Sequence, residues 1–299
     1  MSLRLVTMAF VGLFVAGCEP PGPKRCTDEP SGCPRGVYAV DTPALKTLMG
    51  RGKLSILDLR SAEDYAAGHI PGAIRFDPET LSSVVGGVPG QVTPASKLAA
   101  AFSAAGVRSG DHVIAYDAEN GPPPARLVWT LLYYGYASGQ VQVLDGGYAA
   151  WTAAGEPVET VISTRLGVGR PVTLHTPNNA RRVDAVWVGA HLKDPKVALV
   201  DARSPEEYAA GHIPGAVNIP WESTREGTRF LSDSGLFSLY GDLFKAQTVV
   251  AYSKSGMRAS LLWLTLKMLA HPDVRIYDGS WSEWGAREDL PRVLGPSPN

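Results

Sequence analysis

A sixteen-residue segment occurs twice in this chain. Asp58-Leu59-Arg60-Ser61-Ala62-Glu63-Asp64-Tyr65-Ala66-Ala67-Gly68-His69-Ile70-Pro71-Gly72-Ala73 and the run Asp201 to Ala216 share thirteen identical positions at an offset of 143. The offset holds upstream, where Val40-Asp41 matches Val183-Asp184. A period this long means a duplicated domain, because solenoid repeats recur every ~20–50 residues. With 299 residues, the chain holds roughly two domains of ordinary size.

Both copies carry the same local signals. Asp41-Thr42-Pro43 and Asp184 suit helix starts, with a capping oxygen ahead of the first turn. The apolar runs 54–57 and 197–200 read as strands covered on both faces, with Asp58 and Asp201 at their carboxyl ends. Ser61 and Ser204 cap short helices, and Gly-His-Ile-Pro-Gly-Ala turns lead to strands at 74–76 and 217–219. Further strands are expected at 113–116, 141–144, 249–252 and 274–277, and long apolar helices over 126–134 and 257–269. Alternating strand and helix predict an α/β fold, each copy a mainly parallel sheet with helices on both faces. Its ligand should lie at the carboxyl ends of the strands. The expected domains are 37–156 and 182–290, joined by an aperiodic linker, 157–181, with a tail at 291–299.

Composition narrows the partners. Hydrophobic residues make up 44%, enough for a core in each half, and the formal net charge is −1. No basic field points to nucleic acid. The start of the chain reads as an export leader over residues 1–18: Arg4, an apolar run to Val15, then Ala16-Gly17-Cys18. That ending resembles the lipobox of bacterial lipoproteins, which implies lipidation at Cys18 and a membrane anchor on the periplasmic side of the envelope. Glu19 fits outer-membrane sorting. Residues 19–36 are a Pro/Gly-rich tether. In an oxidising compartment Cys26 and Cys33 are expected to pair, with metal binding the weaker reading. All three cysteines of the chain precede residue 34.

The chemistry concentrates in Ser253-Lys254-Ser255-Gly256-Met257-Arg258, where a strand runs straight into a helix. Such a loop aims several backbone N–H groups at one point, and the helix dipole adds positive charge. Gly256 permits the curvature, and Lys254 and Arg258 add full charges. A small anion is the expected ligand, and neither a cofactor nor a metal is implied. The matching stretch Asp117 to Arg126 is longer, acidic and proline-rich, and is expected not to form such a cradle.

The repeat, the Gly-His-Ile-Pro-Gly-Ala turns, the run Tyr252 to Arg258 and Asp278-Gly279-Ser280-Trp281-Ser282-Glu283-Trp284 together resemble a tandem-domain rhodanese of the thiosulfate sulfurtransferase family over most of 37–290. The resemblance implies a non-catalytic first domain. It implies a second domain whose loop cysteine takes the outer sulfur of thiosulfate and passes it to cyanide or a thiol. The nucleophile's position falls on Ser253, with Arg258 also in a catalytic place, and the substrate cradle on Lys254, Ser255, Gly256, Met257 and Arg258. An alcohol cannot form a persulfide, and a serine hydroxyl needs a partner base where a thiolate does not. The site is therefore read as degenerate, keeping binding and losing transfer. The mercaptopyruvate branch places an arginine near Glu207, so mercaptopyruvate is a poor substrate expectation.

Other residues have plainer readings. His69 and His212 should support turns, Asp58–Arg60 and Asp201–Arg203 should be structural pairs, Trp281 and Trp284 should pack, and Trp129 and Trp263 should be core. Two competing functions stand beside impaired transfer: a membrane-anchored module that binds a small oxyanion, and serine-based hydrolysis, which requires a base near Ser253.

Overall fold

The computed structural model describes residues 34–162 and 171–297. The leader, Cys18 and the Cys26–Cys33 pair lie outside the described residues. The first copy contributes β1 (Ala39–Val40), β2 (Leu54–Asp58), β3 (Ile74–Arg75), the hairpin β4 (Ser82–Val85) and β5 (Val88–Val92), β6 (His112–Tyr116) and β7 (Val141–Leu144). Its sheet has the order β1-β7-β6-β2-β3, and every pairing is parallel. The second copy contributes β8 (Arg182–Val183), β9 (Val197–Asp201), β10 (Val217–Asn218), the hairpin β11 (Arg225–Glu226) and β12 (Arg229–Phe230), β13 (Thr248–Tyr252) and β14 (Asp273–Tyr277). Its sheet, β10-β9-β13-β14-β8, is also parallel throughout. The two sheets thus repeat one strand order, with β6 and β13 at their centres.

Side-chain alternation divides each sheet between two cores. From β6, Val113 and Ala115 join one cluster while Ile114 and Tyr116 join another. From β13, Val249 and Ala251 face one way and Val250 and Tyr252 the other. The inner faces of both copies meet in a single shared core, and each outer face has its own. Helices therefore cover both faces of each sheet. The helices Pro122–Tyr133 and Met257–Met268 pack against each other in the shared core. Met257–Met268 is buried nearly all round, which is why its sequence is apolar all round. Each fully buried leucine there contributes about 1.5–3 kcal/mol by leaving water.

The expected caps form. Asp41 accepts from Ala44 N–H at 2.9 Å and Asp184 from Trp187 N–H at 2.8 Å. Ser61 accepts from Asp64 N–H, and Ser204 and Glu207 complete a reciprocal capping box. One helix begins earlier than expected. The prolines at 122–124 start the helix Pro122–Tyr133 instead of delaying it to Arg126. Backbone N–H groups of a first turn have no intrahelical acceptor, so proline loses nothing there. The aperiodic connection is docked where it is described: Val172 is buried, and the N–H groups of His175 and Asn178 donate to the carbonyls of Tyr134 and Tyr133.

Candidate anion site

The loop after β13 emerges at the carboxyl end of the central strand of the second sheet. Ser253 is 1% exposed. Its carbonyl accepts from Trp281 N–H at 2.9 Å, and Lys254's carbonyl accepts from Ser282 N–H at 2.9 Å. Its N–H donates to Ser280 Oγ at 3.2 Å. Ser280 holds a left-handed conformation (φ 54°) that a side chain disfavours, and its hydroxyl also donates to Tyr277 O at 2.8 Å. The first two residues of the loop are thus fastened to Ser280, Trp281 and Ser282.

Gly256 caps the following helix at φ 76°. A Cβ there would lie 2.8 Å from Asp278 Oδ1 and 3.2 Å from Arg126 Nη1, so glycine is demanded by space as well as by φ. Among the described residues, no protein acceptor takes the N–H groups of Lys254, Ser255 or Gly256. Ser253 Oγ accepts from Ala259 N–H at 3.4 Å, in the first turn of the helix. No histidine or carboxylate among the described residues bonds to that hydroxyl, so serine-based hydrolysis has no base here.

The charged rim differs from expectation. Lys254 is exposed, with no ion pair among the described residues. Arg258 does not stand free over the loop. Its guanidinium forms a two-pronged pair with Glu207 at 2.5 and 2.8 Å. The hydrogen bonds from Arg258 hold the Glu207 carboxyl down to about 2, and the same bonds raise the Arg258 guanidinium. Met257 and Ser255 are half-buried.

The first copy's loop is closed where the second is open. Asp117 stands at the end of β6 as Ser253 does at the end of β13. Its carboxylate accepts from Glu119 N–H at 3.2 Å and from Gly121 N–H at 2.8 Å. The loop does gather amides around an anion, and the anion is its own side chain. Burial raises the Asp117 carboxyl, against the lowering effect of these amides.

The remaining residues take structural places. His69 and His212 are fully buried, each with Nδ1 against a tyrosine carbonyl and its ring stacked on that tyrosine. Asp58–Arg60 and Asp201–Arg203 are buried pairs at 2.5 and 2.6 Å, each arginine also reaching a turn carbonyl. Trp281 lies under Arg203, and Trp284 is fully buried. Trp129 and Trp263 are fully buried in the shared core.

Sequence reasoning passed over the cross-copy contacts. Asp278 Oδ1 is 2.8 Å from Arg126 Nη1 of the first copy, and Oδ2 accepts from Val92 N–H at 2.7 Å. The reciprocal contact exists: Phe230 N–H donates to Asp145 Oδ1 at 3.0 Å. Each hairpin therefore caps the other copy's strand-end aspartate. The available signal was the Asp-Gly that follows the last strand of both copies, Asp145-Gly146 and Asp278-Gly279.

Comparisons with known proteins agree with this architecture. The rhodanese-like domain model matches residues 41–154 and 184–287. The thiosulfate sulfurtransferase of Pseudomonas aeruginosa is 32% identical over 263 residues, covering 84% of this chain and 95% of that protein. The 3-mercaptopyruvate sulfurtransferase of Escherichia coli K12 is 34% identical over 248 residues, covering 78% and 86%. The crystal structure of SseA from Escherichia coli, a 3-mercaptopyruvate sulfotransferase, superposes with a TM-score of 0.71 at 26% identity, covering 82% of this chain and 98% of that one. Structures of EanB share the fold, one with a TM-score of 0.79 at 21% identity over 88% of this chain and 72% of that one. With both of its sheets matched by the family model and relatives aligned across most of its length, the chain belongs to the rhodanese family as a tandem of two rhodanese-like domains.

Proposed function

We propose that the loop 253–258 is the sulfur-anion site of a sulfurtransferase-family protein in which Ser253 occupies the place of the persulfide-forming cysteine, so that the site binds a thiosulfate-like oxyanion and transfers its sulfur poorly or not at all. The observation that carries this reading is the set of loop N–H groups without a protein acceptor at a helix N-terminus, beside a hydroxyl that itself faces an N–H donor. Such a point favours negative charge. A donor that carries a carboxylate finds Arg258 already engaged by Glu207 and no arginine at the Glu207 position to receive it, so mercaptopyruvate is the poorer substrate expectation. The acceptor, were transfer restored, is cyanide or a thiol.

A second reading, an oxyanion-binding or scaffold module, is favoured by the same hydroxyl: it has neither the sulfur for a persulfide nor a base for hydrolysis. The leader ending in Cys18 supports a lipid-anchored place on the periplasmic side of the envelope, at the outer membrane by the residue that follows.

One experiment separates these readings. Titration of the mature chain with thiosulfate and sulfate should show binding, while thiocyanate formation from thiosulfate and cyanide stays at background. Ser253→Cys should raise thiocyanate formation well above background, because a thiolate can attack the outer sulfur, break the S–S bond and release sulfite. Turnover by the unaltered chain at the rate of its Ser253→Cys variant refutes impairment. Binding without any gain in Ser253→Cys leaves the module reading, and absence of both binding and gain refutes the anion site.

A further inference from the structure

The turn at Gly256 rests on a residue of the other domain. Arg126, on the helix Pro122–Tyr133, is fully buried and packs over Trp129, its guanidinium carbon 4.7 Å from that ring. Its Nη1 lies 2.8 Å from Asp278 Oδ1, and both side chains are fully buried. The same two atoms fill the space where a Gly256 side chain would be, 3.2 and 2.8 Å from that Cβ position. Arg126 Nη2 donates to Gly90 O at 3.4 Å. Gly90 in turn presses on Ser255, since a Cβ on Gly90 would collide with the Ser255 side chain. Asp278 Oδ2 is held by Val92 N–H at 2.7 Å and lies 3.5 Å from Arg182 Nε. The first domain therefore touches the loop at two places, Gly256 from beneath and Ser255 from the side.

We propose that Arg126 of the first domain is a positioning residue for the second domain's loop: through Asp278 it clamps the left-handed turn at Gly256, so that the loop keeps its curvature only while the first domain is docked. Nε and Nη1 of Arg126 and Oδ1 of Asp278 form no well-aligned hydrogen bond, although Nη1 and Oδ1 are 2.8 Å apart. The guanidinium and the carboxylate are thus held against the turn by packing and charge rather than by aligned hydrogen bonds. The first domain, lacking an open cradle of its own, then serves the anion site by shaping its partner. This inference rests on the geometry of the loop, and its link to function rests on the anion-site reading above.

The test is hydrogen exchange in the full chain at the amides that fasten the loop: Ser253, Ala259, Ser260, Trp281 and Ser282. Arg126→Met should speed their exchange about tenfold relative to the amides of β13, and weaken sulfate binding by a similar factor. Arg126→Lys, which keeps the charge, should restore part of both. Because Arg126→Met leaves a buried carboxylate alone, Arg126→Gln combined with Asp278→Asn provides a folded, neutral comparison and should show the same local loosening. Wild-type protection of these amides in the folded double variant, or acceleration shared equally by the whole second domain, overturns the proposal. An unaltered chain that binds neither sulfate nor thiosulfate would instead refute the anion-site reading, with the exchange data still judging Arg126.

Discussion

The two strand-end loops show how one backbone device is closed in one copy and open in the other. After β6, Asp117 folds back and takes the N–H groups of Glu119 and Gly121. After β13, Ser253 stands at the same place, and the N–H groups of Lys254, Ser255 and Gly256 meet no protein acceptor among the described residues. Backbone donors at a helix start must be satisfied by something. The first copy supplies an internal carboxylate, while the second leaves the role to water or a ligand. A rim carboxylate appears in the second copy too, but Glu207 occupies the Arg258 side chain and leaves the amides alone.

Closing the open loop should have the largest effect. Gly256→Ala would place a Cβ 2.8 Å from Asp278 Oδ1 at a left-handed φ, costing about 2 kcal/mol or more. Oxyanion binding by calorimetry should disappear and the unfolding midpoint should fall. Full-strength binding in this variant would show that the turn does not shape the site. Opening the closed loop comes next. Asp117→Ala would orphan the part-buried Gly121 amide, leaving the exposed Glu119 amide to water, and destabilise the chain by ~1 kcal/mol. Sulfate should then recover some of the loss by binding in the first copy, seen as a salt-specific rise in melting temperature beyond that of the unaltered chain. The same rise with chloride would mean that no new anion site had opened.

The rim pair should matter least. Glu207 and Arg258 are partly exposed, so their contribution is within about 1 kcal/mol. Its sign is set by the lowered carboxyl. The unfolded group titrates at 4.5 and the folded one at about 2, so the stabilisation is complete above 4.5 and fades as pH falls towards 2. Glu207→Gln should therefore lower stability by up to about 1 kcal/mol at neutral pH and flatten the acid limb of a stability–pH curve, the two curves converging as pH falls towards 2. An unchanged acid limb would show that the pair contributes nothing.

Much of the fold was readable because it rests on local rules. The caps at Asp41, Asp184, Ser61 and Ser204 are side-chain oxygens meeting N–H groups three residues away. The buried strands 113–116 and 249–252 announce themselves by composition. The start of the helix Pro122–Tyr133 was missed because three prolines look like a break until their place in the first turn is known. The acidity and length of the Asp117 loop do not by themselves reveal that its carboxylate turns inward to meet its own amides. Arg258 lies in the first turn of the helix that follows the loop, and its partner Glu207 is 51 residues away in sequence.

The sequence by itself determined the duplication, the alternating α/β pattern and the family resemblance, and it pointed to the loop 253–258 as the candidate site. These follow from periodicity and from residues adjacent along the chain. Only the tertiary structure decided which donors and charges remain available, because satisfaction of a polar group depends on what is packed against it. It shows Asp117 filling its own cradle, Glu207 engaging Arg258, and Arg126 reaching from one domain beneath the loop of the other. Ser253 is conspicuous in the sequence; that its hydroxyl faces the Ala259 N–H, and no histidine or carboxylate among the described residues, is decided by how the loop folds and by what packs against it.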